Sequence, residues 1–466
     1  MLGVGQLIGE NIQSHLQDMM TKKVTLGVTG FSRAGKTVFI GSLAQALLTS
    51  DSWVVRPGQG PLAQFGAFER GQYRCAQIRD DVNADLPQFP FRKVRDSLIG
   101  KDAKWPEATA GISRLAIDIE YTPKSRFFTS PRRLQLQLVD YPGEWLIDLV
   151  MLNQTYAEWS DRMLSLAKKG SRGQWSGKYF DEIKKLDGVE TFDEEVTSQL
   201  TDTWTQYLQV AADNGLVLNQ PGRLLRPDAL RGSSLLRLVP LPDRFRTGVF
   251  GSGMQKRFEE YKKKAIQPFY RDHFAKMDRQ IMLVDVLRSL QLGEEVFGEM
   301  VEALKETLLS FQYGKSDLLS WIKGAKTTHV LFAATKCDHV IRGDRANLAQ
   351  MLRRMLALVD DHNQLRASAL KQDVIALASV CATEDRRTVK PPIREILYGQ
   401  PEGKDGPSQY DPGGLPLDMP PNWDDVYFEF LKFLPLTDLA PTSLYDGFPA
   451  INIGKALDFL IGDDFL

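Results

Sequence analysis

The chain has 466 residues, 43% hydrophobic and 25% charged, which suits a globular protein with a sizeable core and more than one domain-sized unit. Its 58 basic and 59 acidic residues leave a net charge of -1, so charge alone predicts no nucleic-acid partner and no acidic membrane surface. Cys75, Cys337 and Cys381 form no CxxC pair, and the five histidines form no HxxxH or HExxH pattern, which argues against a metal knuckle, a disulfide framework and zinc hydrolysis.

In chain order, Ile8, Ile12, Leu16, Met19 and Met20 recur at helical spacing and predict a helix docked on the core. No basic start leads into a long apolar stretch, so no signal peptide is expected. No run of about 18 apolar residues occurs, so no transmembrane segment is expected. A reducing compartment fits the cysteine usage. "KVTLGVTG" (23–30) reads as a strand and "KTVFIGSLAQALLTS" (36–50) as a helix. Residues 51–107 are punctuated by Pro and Gly and read as an insertion with short helices. "SRLAIDIEYT" and "RRLQLQLVDYPG" read as a hairpin of strands that adds one antiparallel edge strand.

Residues 144–277 carry a 3.6-type apolar period in several stretches and read as a mainly helical insertion. Its "KKK" at 262–264 is balanced by Glu259 and Glu260, as on a solvated helix face. A strand at 279–287, a helix at 294–311, a strand at 329–338, a helix at 345–364 and a strand at 373–383 follow. Residues 389–423 read as a long Pro/Gly-rich loop, and "WDDVYFEFLKFLP" and "IGKALDFLIG" as closing helices. Trp423, Tyr427, Phe428, Phe430 and Phe433 read as packing. Alternation of strands and helices predicts a mostly parallel sheet covered on both faces.

"GFSRAGKT" fits G-x-x-x-x-G-K-[ST] between a predicted strand and a predicted helix. The glycines let backbone N–H groups of the loop wrap phosphate oxygens at a helix N-terminus, Lys36 adds a charge between β and γ phosphates, and the Thr37 hydroxyl suits Mg²⁺. Gly30, Ser32, Arg33, Ala34, Gly35, Lys36, Thr37 and Val38 are therefore candidate nucleotide contacts. "DYPG" places Asp140 at a strand end, suited to hold Mg²⁺ through water, and Gly143 where its N–H meets a γ-phosphate. Asp285 is a rival acid, read as lying within its strand and structural. "TKCD" supplies Thr335, Lys336 and Asp338. A carboxylate there accepts from the N1–H and amino group of guanine, a donor pair that adenine lacks. Ala378, Ser379 and Val380 follow the next strand and match a backbone loop around the guanine O6. Thr109, before the strand at 113, is the candidate γ-phosphate sensor and a third metal contact; a plain cap or loop threonine is the other reading.

These four elements in order resemble a GTP-binding protein of the large P-loop GTPase class. "GFSRAGKT", "WPEAT", "DYPGEWL" and "TKCD" together resemble the YcjX-like family of bacterial stress-associated proteins over nearly the whole chain. The resemblance implies a G-domain-like fold, GTP/GDP and Mg²⁺ as ligands, a cytoplasmic location, a role in the phage-shock or envelope-stress response, and a membrane-protein partner. On this plan 1–50, 108–143 and 278–388 form the nucleotide domain, interrupted by insertions at 51–107 and 144–277, with 389–466 closing the chain. The second insertion follows the DxxG and is expected to move when the γ-phosphate leaves.

Three residues depart from small GTPases, Ser32 and Arg33 standing where these often have glycines. Glu144 stands where many carry the glutamine that orients water. An ionised carboxylate is repelled by a γ-phosphate, so slow hydrolysis is expected, with Glu144 either a base or turned away. Arg33 either supplies charge in cis or pairs with an acid in switch I, the pairing being favoured. Two other readings stay open: an ATPase in which "TKCD" is accidental, and a non-catalytic nucleotide-dependent scaffold that binds partners through its helical insertions.

Overall fold

The computed structural model describes residues 21–50, 60–79, 85–100, 102–107, 111–124, 130–189, 191–312, 327–359, 370–420, 422–423, 429–435 and 447–466, without the side chains of 309–312 and 359. The expected N-terminal helix and Thr109, Tyr427 and Phe428 lie outside these residues.

Strand β1 (Lys22–Gly30) leads through a glycine-rich loop into helix α1 (Lys36–Leu48). β2 (Tyr73–Ile78), β3 (Ser113–Tyr121) and β4 (Arg132–Asp140) follow. Helices α2 (Glu144–Asp148), α3 (Tyr156–Ala167), α4 (Glu194–Asp213) and α5 (Val249–Tyr261) dominate the second insertion. β5 (Arg279–Val284), α6 (Val286–Gln291), α7 (Glu294–Gln312), β6 (His329–Thr335), α8 (Arg345–Val359) and β7 (Lys371–Leu377) complete the alternating part. β8 (Thr383–Arg387), β9 (Glu395–Gly399) and β10 (Ser408–Tyr410) make a separate small sheet, and α9 (Ile453–Ile461) comes last.

The main sheet has seven strands in the order β2-β3-β4-β1-β5-β6-β7. β1 pairs parallel with β4 and β5, and β5, β6 and β7 pair parallel in turn. β3 is antiparallel to β4, as expected, but it is not the edge. β2, which sequence reading left inside an irregular insertion, pairs antiparallel with β3 and takes that place.

Both faces of the sheet are covered because its central strands are apolar at successive positions. Ile281 and Leu283 face one side, with Leu26, Val28, α1 and α9. Met282 and Val284 face the other, with Phe332, α7, α8 and the second insertion. The insertion's Trp159, Trp204 and Phe258 belong to that same cluster, so this insertion and one sheet face share a core.

Two expectations are corrected near the C-terminus. The Pro/Gly-rich stretch contains β9 and β10 rather than loop alone. Residues 429–435 are extended, not helical: Leu434 N–H donates to the Gln400 carbonyl at 2.9 Å, and Glu402 N–H to the Lys432 carbonyl at 2.7 Å. Of the aromatic series, Phe430 and Phe433 are buried, and Trp423 packs on Phe297 with ring centroids 5.3 Å apart. In the "KKK" run Lys263 and Lys264 are exposed and Lys264 pairs with Glu260, as on a solvated face, whereas Lys262 is largely covered, pairing with Glu259 and donating to the Gln154 carbonyl at 3.0 Å. No described helix is long and apolar enough to cross a membrane.

Candidate functional site

The parallel strands β1, β4, β5, β6 and β7 end at Gly30, Asp140, Val284, Thr335 and Leu377. After β1 the chain builds the β2–β4 side of the sheet, then crosses to β5 on the other side. An open parallel sheet leaves a crevice at the carboxyl ends of its strands where the order reverses. The described candidate residues from the sequence all lie at or just past one of these strand ends.

The loop after β1 is held in a tight wrap. Arg33 and Gly35 adopt left-handed backbone, with φ of 67° and 90°. Such a conformation suits Gly35 and is uncommon for a side chain as large as that of Arg33. Ala34 N–H donates to the Phe31 carbonyl at 3.1 Å. Lys36 Nζ donates back across the loop to the Gly30 carbonyl at 2.6 Å. α1 starts with no side-chain cap and no acidic residue in its first turn. N–H groups at such a start are suited to an anion. Thr37 is buried at the second position of α1, and Val38 packs against the core below.

Asp140 is 1% exposed and lies in register with Val28 of β1 and Ser113 of β3. Gly143 backs directly onto the loop: a Cβ there would sit 2.7 Å from the Gly30 carbonyl oxygen. Glu144 opens α2 and is buried, with Oε1 3.9 Å from Nε of Arg226. Arg226 Nη2 also donates to Ser32 Oγ at 3.3 Å.

Arg33 does pair with an acid, but the acid is in the helical insertion rather than switch I. Its guanidinium lies 3.8 Å from Asp213, the last residue of α4, both side chains being about half exposed (53% and 57%). A pair so exposed and so long is weak. Arg288 Nη2 donates to the Asp213 carbonyl at 3.2 Å. Ser32, Arg33, Glu144, Val217, Asp285 and Arg288 line a cleft beside the loop.

At the end of β6, Lys336 is left-handed, with φ 60°. Its ammonium pairs with the Asp285 carboxylate. Asp285 lies just past its strand rather than within it, because β5–β6 pairing stops at Val284. There it caps α6 by accepting from the Arg288 N–H at 3.2 Å. Asp338 is 2% exposed; Oδ2 accepts from the Ala382 N–H at 2.7 Å, and its carbonyl accepts from the Thr383 hydroxyl. Burial pushes the neighbouring His339 imidazole below its ordinary pKa and the Cys337 thiol above its own, so neither adds charge beside Asp338. Ala378 exchanges both backbone hydrogen bonds with Ile451, which commits its N–H and leaves Ser379 and Val380 next along the loop.

Arg226, Asp213 and Arg288 were not singled out from sequence. They carry no motif, and their nearness to the loop follows from how the insertion docks.

The sequence profile of the YcjX-like family, DUF463, matches residues 24–465. The chain is 33% identical to the Ras-like GTPase YcjX of Escherichia coli (strain K12), over 98% of this chain and 97% of that protein. It is 32% identical to the Ras-like GTPase YcjX of Shewanella oneidensis, over the same shares of the two chains.

Proposed function

The chain belongs to the YcjX-like family, and on that premise we propose that it is a GTPase whose nucleotide lies across the carboxyl ends of β1, β4 and β6. The observation that carries this reading is the convergence of three separate motifs on one sheet edge. The Lys36 loop follows β1, Asp140 and Gly143 end β4 against that loop, and Asp338 follows β6. Relatives named as GTPases support the same activity.

In this reading the loop N–H groups and Lys36 bind the phosphates, and Thr109 senses the γ-phosphate. Lys36 exchanges the Gly30 carbonyl for β and γ oxygens. Asp338 accepts from the guanine edge, Lys336 lies along base and ribose, and the loop at Ser379 and Val380 meets O6. Among the described residues no cluster of three or more His, Cys, Asp or Glu side chains could hold a metal. Mg²⁺ takes few protein ligands and keeps phosphate oxygens and water. The Thr37 hydroxyl and Asp140 carboxylate would hold it, and the ion would neutralise charge between β and γ phosphates. Hydrolysis is slow because a carboxylate, Glu144, stands where a neutral amide would orient water. The stress-response role, cytoplasmic location and membrane-protein partner that the resemblance implies belong to the same proposal.

Displacement of fluorescent GDP by unlabelled GTP, ATP and XTP tests it. GTP should compete at least about a thousandfold better than ATP. Asp338→Asn should weaken guanine binding by about a hundredfold or more and admit xanthine; an amide can still accept from the Ala382 N–H, so the loop keeps its shape. Equal competition by ATP would establish the ATPase instead. Absence of phosphate release in a single turnover would leave a scaffold.

A further inference from the structure

Arg226 belongs to the helical insertion, 194 positions beyond Ser32, yet its guanidinium reaches the rim of the glycine-rich loop. The backbone that carries it is clamped onto α2. The Trp145 indole N–H donates to the Arg226 carbonyl at 3.1 Å, and the Gly222 N–H donates to Asp148 Oδ1 at 2.8 Å. Gln220 donates its side-chain amide to the Ile147 carbonyl, and the Arg223 guanidinium stacks 3.7 Å from the Trp145 ring centroid. Gly222 has no room for a side chain, since a Cβ would collide with the Glu144 carbonyl.

The side chain, in contrast, is held loosely. It is 34% exposed, with one long hydrogen bond to a neutral hydroxyl and an ion pair at 3.9 Å, too long for a hydrogen bond. A rigid backbone with a weakly engaged guanidinium is poised for a stronger acceptor. Arg33, the loop's own arginine, is turned toward Asp213.

We propose that Arg226 is the arginine that the insertion supplies, in cis, to the γ-phosphoryl group during GTP hydrolysis. This rests on the GTPase reading above. With triphosphate bound, the guanidinium leaves Ser32 and Glu144 and takes γ-phosphoryl oxygens. Water oxygen forms a bond to the γ phosphorus as the bond to the β–γ bridging oxygen breaks. GDP leaves with that electron pair, and the proton lost by water passes to the phosphate or to solvent. Negative charge moves onto the bridging and equatorial oxygens, and a fixed cation there lowers the barrier.

The full-length protein and its Arg226→Ala and Arg226→Lys variants should be compared in three measurements. These are GTP and GDP affinity, single-turnover phosphate release, and capture of GDP with aluminium fluoride. Affinities should stay within about threefold of wild type while hydrolysis falls by about a hundredfold or more. Lysine should restore little, because a point charge does not span two oxygens. The fluoride complex should form with wild type and not with Arg226→Ala. Hydrolysis at the wild-type rate in Arg226→Ala, or retention of its fluoride complex, would overturn the inference. So would a loss of GTP affinity as large as the loss of rate, which marks a structural role. A wild-type protein that fails to bind guanine nucleotide removes the GTPase reading and this inference together; one that hydrolyses GTP equally well without Arg226 removes the inference alone.

Discussion

Gly143 shows how little slack the site has. A methyl there would sit 2.7 Å from the Gly30 carbonyl oxygen and 3.0 Å from the Phe31 nitrogen. The loop has nowhere to retreat, because Gly30 is itself backed by the Leu283 carbonyl, 2.5 Å from where its own Cβ would lie. Gly143→Ala should therefore displace the loop, lower nucleotide affinity about tenfold or more, and cost about 1–3 kcal/mol of stability as overpacking does. Nucleotide titration and thermal unfolding check this; unchanged affinity would mean that the loop and the β4 end are less tightly apposed than described. At this scale the sequence was informative where spacing encodes local backbone. Gly35, Lys36, Gly143 and Asp338 were legible because a turn, a helix start or a strand end requires each at a fixed offset. Arg226 and Asp213 were not, because their approach to the loop depends on docking across the chain, which no local spacing records.

At the scale of elements, two ion pairs fasten the insertion to α7 among the described residues, Arg162 with Glu306 and, more deeply buried, Arg172 with Glu299. Arg172 is 1% exposed; its Nη2 and Nε donate to Glu299 Oε1 and Oε2 at 2.7 and 2.9 Å. Glu299 also accepts from the Val217 and Leu218 N–H groups, and Arg172 donates to Tyr207 and Asn219. Removing one partner leaves a buried charge without its counterion. Arg172→Met should thus cost about 3–5 kcal/mol in chemical denaturation, and Arg172→Lys should recover only part of it. A loss under about 1 kcal/mol would show that the Arg172 pair does little to hold α7 to the insertion. The strands and helices on the alternating plan were legible from apolar runs alone. β2 was not, since "YRCAQI" is a half-exposed edge with only Tyr73 buried, and edge strands need not be apolar on both faces. β9 was hidden by its surroundings: "EILYG" has strand composition but sits between Pro- and Gly-rich segments that read as loop.

For the whole molecule, the shared core has a thermodynamic consequence. Trp159, Trp204 and Phe258 of the insertion pack in one cluster with Met282 and Phe332 of the sheet. Neither part can unfold without exposing the other, so calorimetry should record one main transition rather than a separate insertion melt. Its midpoint should also depend on pH through two buried acids. Asp148, which accepts from Gly222 and Tyr261, is pushed by burial from 3.8 to about 6. Glu306, paired with Arg162, is pushed by burial from 4.5 to about 7. In both cases the folded state keeps a proton that the unfolded chain releases. Between pH 4 and 7 the folded state therefore binds more protons, and stability falls as pH rises through that window. At about 1.4 kcal/mol per unit, the Asp148 shift alone corresponds to at most about 3 kcal/mol, fully present below pH 3.8 and lost above about 6. Asp148→Asn removes that titration, so its melting temperature should change less than that of wild type between pH 5 and pH 8. Parallel curves for the two proteins would mean that Asp148 titrates alike in the folded and unfolded states. An amide at 148 can still accept from the Gly222 N–H, so Asp148→Asn should leave hydrolysis near wild type, whereas Asp148→Ala frees the backbone that carries Arg226 and, on the Arg226 proposal, should slow single-turnover hydrolysis at constant GTP affinity.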